Sequence, residues 1–237
     1  MQNQARDGAL EGARHAFGIP CMVLAAGYTG FGALAAANGL SLTGTMIATM
    51  FIWALPGQLI LVEMHTLGAP FFAVVLTVVL SGARFLPMTI VLMPLLREAR
   101  GRPFHYYVAA QLIAMTGWSW AMARFPAMPA ERRLGYFFGF TLSLLFAASA
   151  ATALGFLGGD LLPPMARLAL VFMSPMYFLL LLTGSASDAL ARLAIGCGAI
   201  AGPVAHLVNT QWSVLAGGLI GGSIGFFLHR MLLRRQD

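Results

Sequence analysis

Charge is scarce in this chain, and lysine is absent. Only 9% of the 237 residues are Asp, Glu, Lys or Arg, against 59% hydrophobic, and the mean hydropathy is +0.81. Soluble domains carry about 25% charge, so a soluble fold is excluded. From His15 to Val62 there is no charged residue at all, a run of 48. One helix needs roughly 20 apolar residues to cross a hydrocarbon core about 30 Å thick, so this run holds two crossings and a turn. The stretches 103–123, 134–159, 168–187 and 193–229 are also charge-free. Cysteine is equally rare. Cys21 and Cys197 sit in apolar text without metal-ligand or redox spacing. The chain also lacks an HExxH zinc motif, a Ser–His signature and paired aspartates, which removes the common intramembrane enzymes and argues for a non-enzyme without a bound cofactor or metal. No linker or low-complexity tract divides it, so one polytopic domain is expected.

What charge exists is basic. All fourteen basic residues are Arg and the net charge is +6. Eleven of them lie in short polar arms: Arg6 and Arg14, Arg97 to Arg102, Arg124 to Arg133, and Arg230 to Arg235. Such flanking clusters orient membrane proteins and do not suggest nucleic-acid binding. The reading is all-α: a polytopic transmembrane bundle over 17–230, with a polar arm 1–16 before it and a basic tail 231–237 after it. Apolar segments fall at about 17–39, 44–64, 67–96, 104–123, 135–157, 165–183, 188–208 and 211–229, all helical because helices satisfy their own backbone in lipid. The Arg230–Arg235 cluster places the C-terminus in the cytoplasm. Eight crossings result, or seven if 104–123 dips in and returns.

The halves 17–123 and 135–229 look alike at an offset near 121. FGIPCMVLAAGYTGFGALAAANGL (17–40) lies over FGFTLSLLFAASAATALGFLGGDL (138–161). Helix breakers coincide as well: Pro56-Gly57 with Pro175, and Gly82 with Gly202-Pro203. Paired interruptions in two halves point to a transport site, because broken helices free backbone groups at mid-membrane. Half-helix N-termini suit a carboxylate and freed carbonyls suit an ammonium group.

The sharpest polar group is Arg84, at least twelve residues from any other charge on either side. An arginine there costs roughly 2.5–3.5 kcal/mol on insertion scales and needs a partner or water. Glu63 is a candidate partner and a candidate proton site, or it is solvated at the interface. Gln58 follows the Pro56-Gly57 break, where its amide meets either a substrate or a neighbouring helix. Thr116 lies in the fourth segment beside Trp118 and Trp120. His206 is a packed histidine or a proton carrier. The glycines of GGLIGGSIG (217–225) read as a close helix contact.

The stretches GYTGFGALAAANGLS (27–41), WALPGQLILVEM (53–64), LSGARFLPMTIVLMPLL (80–96) and FMSPMYFLLLL (172–182) resemble the AzlC family of prokaryotic branched-chain amino acid permeases. Gln58 retains the family's turn-ending Gln. Arg84 retains the arginine of an Asn-x-Arg-His element, with Gly82 for Asn and Phe85 for His. Thr116-Gly117-Trp118 stands where members tend to read Thr-Asp-Glu. The resemblance implies efflux of valine, leucine or isoleucine through the cytoplasmic membrane, with a small AzlD-type membrane subunit as partner. On that reading the cargo carboxylate meets Arg84 and the helix end near Gly82, while Gln58 and carbonyls near Pro56 hold the ammonium. The rival is a non-transporting membrane subunit that stabilises or gates a partner.

Overall fold

The structure is a computed structural model that describes residues 2–83, 85–99, 101–185, 189–208 and 213–233. Every described element is helical. The order is α1 (Gln2–Ala16), α2 (Ile19–Ala37), α3 (Leu42–Ile52), α4 (Leu55–Thr66), α5 (Phe71–Ser81), α6 (Phe85–Arg97), α7 (Pro103–Gln111), α8 (Met115–Arg124), α9 (Ala130–Leu157), α10 (Pro164–Ser185), α11 (Ala189–Val208) and α12 (Ser213–Leu233). Short 3-10 turns, Phe125–Ala127 and Gly159–Leu161, flank α9. The chain forms two compact units, Met1–Met176 and Tyr177–Asp237, and the division falls within α10.

Among the described residues, α2 and α9 are long and apolar enough to cross a membrane. The pair α5 and α6, bent by 52°, makes a third crossing if it is one span. The other segments of the first unit come in halves. The segment 44–64 is two helices of 11 and 12 residues, α3 and α4. The segment 104–123 is two helices of 9 and 10 residues, α7 and α8. At 1.5 Å per residue each reaches roughly half-way through the hydrocarbon core.

The breakers act differently from the sequence expectation. The first break lies at Trp53 and Ala54, before Pro56-Gly57, because proline fits the first turn of a helix, where no N–H bond is required. The break after Gly82 falls where expected, at the C-terminal end of α5. In the second half α10 runs through position 175 and α11 contains Pro203. The helices thus continue across both proposed breaks. Proline deletes one hydrogen bond, and a membrane helix tolerates that where neighbouring groups re-satisfy the backbone.

The first unit is built on α9. Residues 1–16, expected as a polar arm, contain α1, which lies along the N-terminal part of α9. A Cβ on Gly8 would stand 2.6 Å from the Arg132 carbonyl, and one on Gly12 2.2 Å from that of Tyr136. From the α9 side, a Cβ on Gly139 would stand 2.0 Å from Ala9 O. The seam continues along α2, where a Cβ on Gly32 would stand 2.1 Å from Thr152 O and one on Gly155 2.0 Å from Thr29 O. Only glycine permits such approach of two backbones. From Gly8 with Arg132, through Thr29 with Gly155, to Ala33 with Gly159 the contacts rise together along both stretches, so α1 and α2 run parallel to α9.

In the second unit α11 and α12 pack antiparallel through small residues. Gly221 lies against Gly198 and Gly225 against Ala194, with would-be Cβ distances of 2.6 and 2.8 Å. That is the close contact expected of the 217–225 glycines.

Candidate functional site

Three helix interruptions converge in the first unit. The first follows α3, where Trp53 adopts a left-handed conformation with φ 47° and is 4% exposed. A non-glycine residue there stores about 1–3 kcal/mol of strain. The second separates α7 from α8 at residues 112–114. The two are laced reciprocally. Gln111 Nε2 donates to the Phe51 carbonyl at 2.7 Å, and Trp53 Nε1 donates to the Leu112 carbonyl at 3.3 Å. Carbonyls at a helix end have no intrahelical partner, so each interruption supplies a donor to the end of the other. The third is the α5 end. A Cβ on Gly57 would stand 3.2 Å from Ser81 Oγ, which places the start of α4 beside Ser81 and Gly82.

Two half-helix N-termini begin at this junction. Ala54 caps α4 and Ala114 caps α8, and neither has a side-chain cap. Their first N–H groups carry the partial positive charge of a helix start. Behind them sits Gln58, whose side chain is 0% exposed. Its Nε2 donates to the Ala48 carbonyl at 3.2 Å, while its Oε1 has no partner. The Tyr28 hydroxyl interacts with the same side chain, and the Tyr28 ring stacks on Trp53 at 5.9 Å. A second buried atom without a partner, Trp118 Nε1, lies in α8. Thr116, in the first turn of α8, is 2% exposed. Leu55, Leu112 and Ile113 are buried around the junction and give it an apolar wall.

The junction thus offers donors at two helix starts and one unused acceptor in an otherwise apolar setting. A buried polar atom without a partner costs about 1–3 kcal/mol, and a ligand that supplies the missing bond recovers it. A zwitterion with an aliphatic side chain matches each part.

Of the residues singled out from sequence, Pro56, Gly57 and Gln58 form the first turn of α4, with Gly82 beside them, and Thr116 begins the neighbouring half-helix. Glu63 lies further along α4 and is exposed. Arg84 lies outside the described residues, as do the side chains of Pro175 and His206. The expected Arg84–Glu63 pairing therefore lies outside the described residues. Sequence reasoning passed over Trp53, Tyr28 and the break at 112–114. The run Leu112-Ile113-Ala114 holds no breaker, and only the amide of Gln111 just before it hinted at one.

A family model described as AzlC protein matches residues 20–162, more than half of the chain. No curated protein and no solved structure matches it. The matched stretch contains all three interruptions and Gln58.

Proposed function

The chain belongs to the AzlC family, membrane proteins of branched-chain amino acid transport, and from that premise we propose that it exports valine, leucine and isoleucine by alternating access at the junction of the three breaks. The observation that carries this site is the fully buried Gln58 carbonyl oxygen without a partner, set behind two uncapped helix starts. The cargo carboxylate is held by the N–H groups that open α4 and α8, with Arg84 as the cation that completes its charge. The ammonium group is held by Gln58 Oε1. The aliphatic side chain packs on Trp53, Leu55, Leu112 and Ile113. One methylene in such a wall is worth about 1–3 kcal/mol, so discrimination among the three cargoes is loose.

The parallel packing of α2 on α9 supports eight crossings, since three then separate them, and speaks against the arrangement with seven, in which two do. Both termini are then cytoplasmic in a prokaryotic inner membrane. A small AzlD-type subunit is the proposed partner. Glu63, exposed on α4, is the proposed proton site if export is proton-coupled, with His206 as the second candidate.

Reconstitution of the chain alone and with its partner, followed by efflux of labelled valine, tests the proposal. Saturable efflux that leucine and isoleucine inhibit is the expected result. No flux in either preparation would assign the chain to a stabilising or gating subunit instead.

A further inference from the structure

Where α9 begins, α1, α8 and α9 line an open pocket of about 380 Å³. Its charged lining is one carboxylate, Glu11, and two guanidinium groups, Arg124 and Arg132, with Met128 and Pro129 completing the wall. Opposite charges that share a small cavity ordinarily close into contact. Here they do not: among the described residues the ion pair is Arg133 with Glu98, outside this lining.

The surroundings hold the charges apart. The Arg124 guanidinium lies 4.7 Å over the Trp120 ring, and that ring stacks on Phe140 at 5.4 Å. Such a contact fixes a cation without neutralising it. Arg132 belongs to the first turn of α9, and its carbonyl is pressed against Gly8. Glu11 precedes Gly12, whose approach to the Tyr136 carbonyl locks α1 in register.

Separated charges across one pocket are complementary to a ligand that carries both signs. We propose that this pocket binds a zwitterion, with an oxyanion on Arg124 and Arg132 and an ammonium group on Glu11. A volume of about 380 Å³ falls at the small end of ordinary ligand pockets. Two sources share this chemistry. One is the headgroup of an aminophospholipid, since the cavity opens where a membrane helix begins. The other is a free α-amino acid.

Native mass spectrometry of the full-length chain, titrated with phosphatidylethanolamine and phosphatidylglycerol, tests the first source. The ethanolamine lipid should be retained at least tenfold over the glycerol lipid. Glu11→Gln should abolish that preference and Glu11→Asp should keep it, which separates loss of charge from misfolding. Arg124→Gln with Arg132→Gln should weaken both lipids. Equilibrium dialysis with labelled valine tests the second source, in a Gln58→Leu background so that the junction of the breaks is silent. Valine binding that Glu11→Gln removes and phosphatidylethanolamine displaces identifies the amino acid as occupant. Equal retention of the two lipids, with no valine binding sensitive to Glu11, overturns the proposal whatever the transport assays show.

Discussion

Replacing Gln58 by Leu should leave stability within about 1 kcal/mol of the parent protein and yet disable it. The side chain is fully buried and has similar volume to leucine, so the wall stays filled. Two interactions are lost, the Nε2 bond to the Ala48 carbonyl and the contact with the Tyr28 hydroxyl, each with a net value of about 1 kcal/mol. That carbonyl keeps the bond that α3 itself supplies. Against this loss, removing an unpartnered buried oxygen recovers about 1–3 kcal/mol. The balance runs from a loss of about 1 to a gain of about 1 kcal/mol. Transport falls. A charge-assisted bond between Oε1 and the cargo ammonium is worth about 1.5–3 kcal/mol, or roughly 10- to 150-fold in affinity. Thermal unfolding of the purified variant and valine efflux from proteoliposomes read the two effects separately. A lower unfolding midpoint with undiminished efflux would refute the reasoning, because Gln58 would then be a structural amide and nothing more.

Other substitutions probe the frame. Gly155→Ala puts a Cβ 2.0 Å from the Thr29 carbonyl, so α2 must lift off α9; a loss of about 1–3 kcal/mol or more is expected in denaturant titration. Trp53→Phe keeps an aromatic side chain but removes the indole donor to the Leu112 carbonyl, which should lower stability by about 1–3 kcal/mol by the same measurement. Glu98→Gln removes the ion pair with Arg133, and because Glu98 is 52% exposed the loss should stay under about 1 kcal/mol, leaving the unfolding midpoint almost unchanged.

The sequence made some of this legible for clear physical reasons. Helicity and membrane residence follow from charge-free runs, because lipid leaves the backbone few alternatives. Gly82 marked the end of α5 correctly, and the 217–225 glycines marked the α11–α12 contact. The junction itself was less legible. Pro56-Gly57 advertised a break, but proline at a helix start is favourable, so the interruption falls on Trp53, a residue that signals none. The gap at 112–114 is a tertiary product, held by Gln111 and Trp53, each donating to the end of a different half-helix. Pro203 misled in the opposite sense, since α11 continues across it. The close parallel packing of α1 and α2 on α9 required knowing which glycines face each other across about 125 residues of chain, and no local pattern carries that.

The measurement closest to the centre is thiol protection at the junction. With Cys21 and Cys197 replaced by Ala, Ala114→Cys puts one thiol at the uncapped start of α8. If the cargo carboxylate sits on that turn, saturating valine should slow maleimide labelling several-fold, and Gln58→Leu should remove the protection. A labelling rate unchanged by valine, in protein that still moves valine across the membrane, would place the cargo elsewhere and contradict the account.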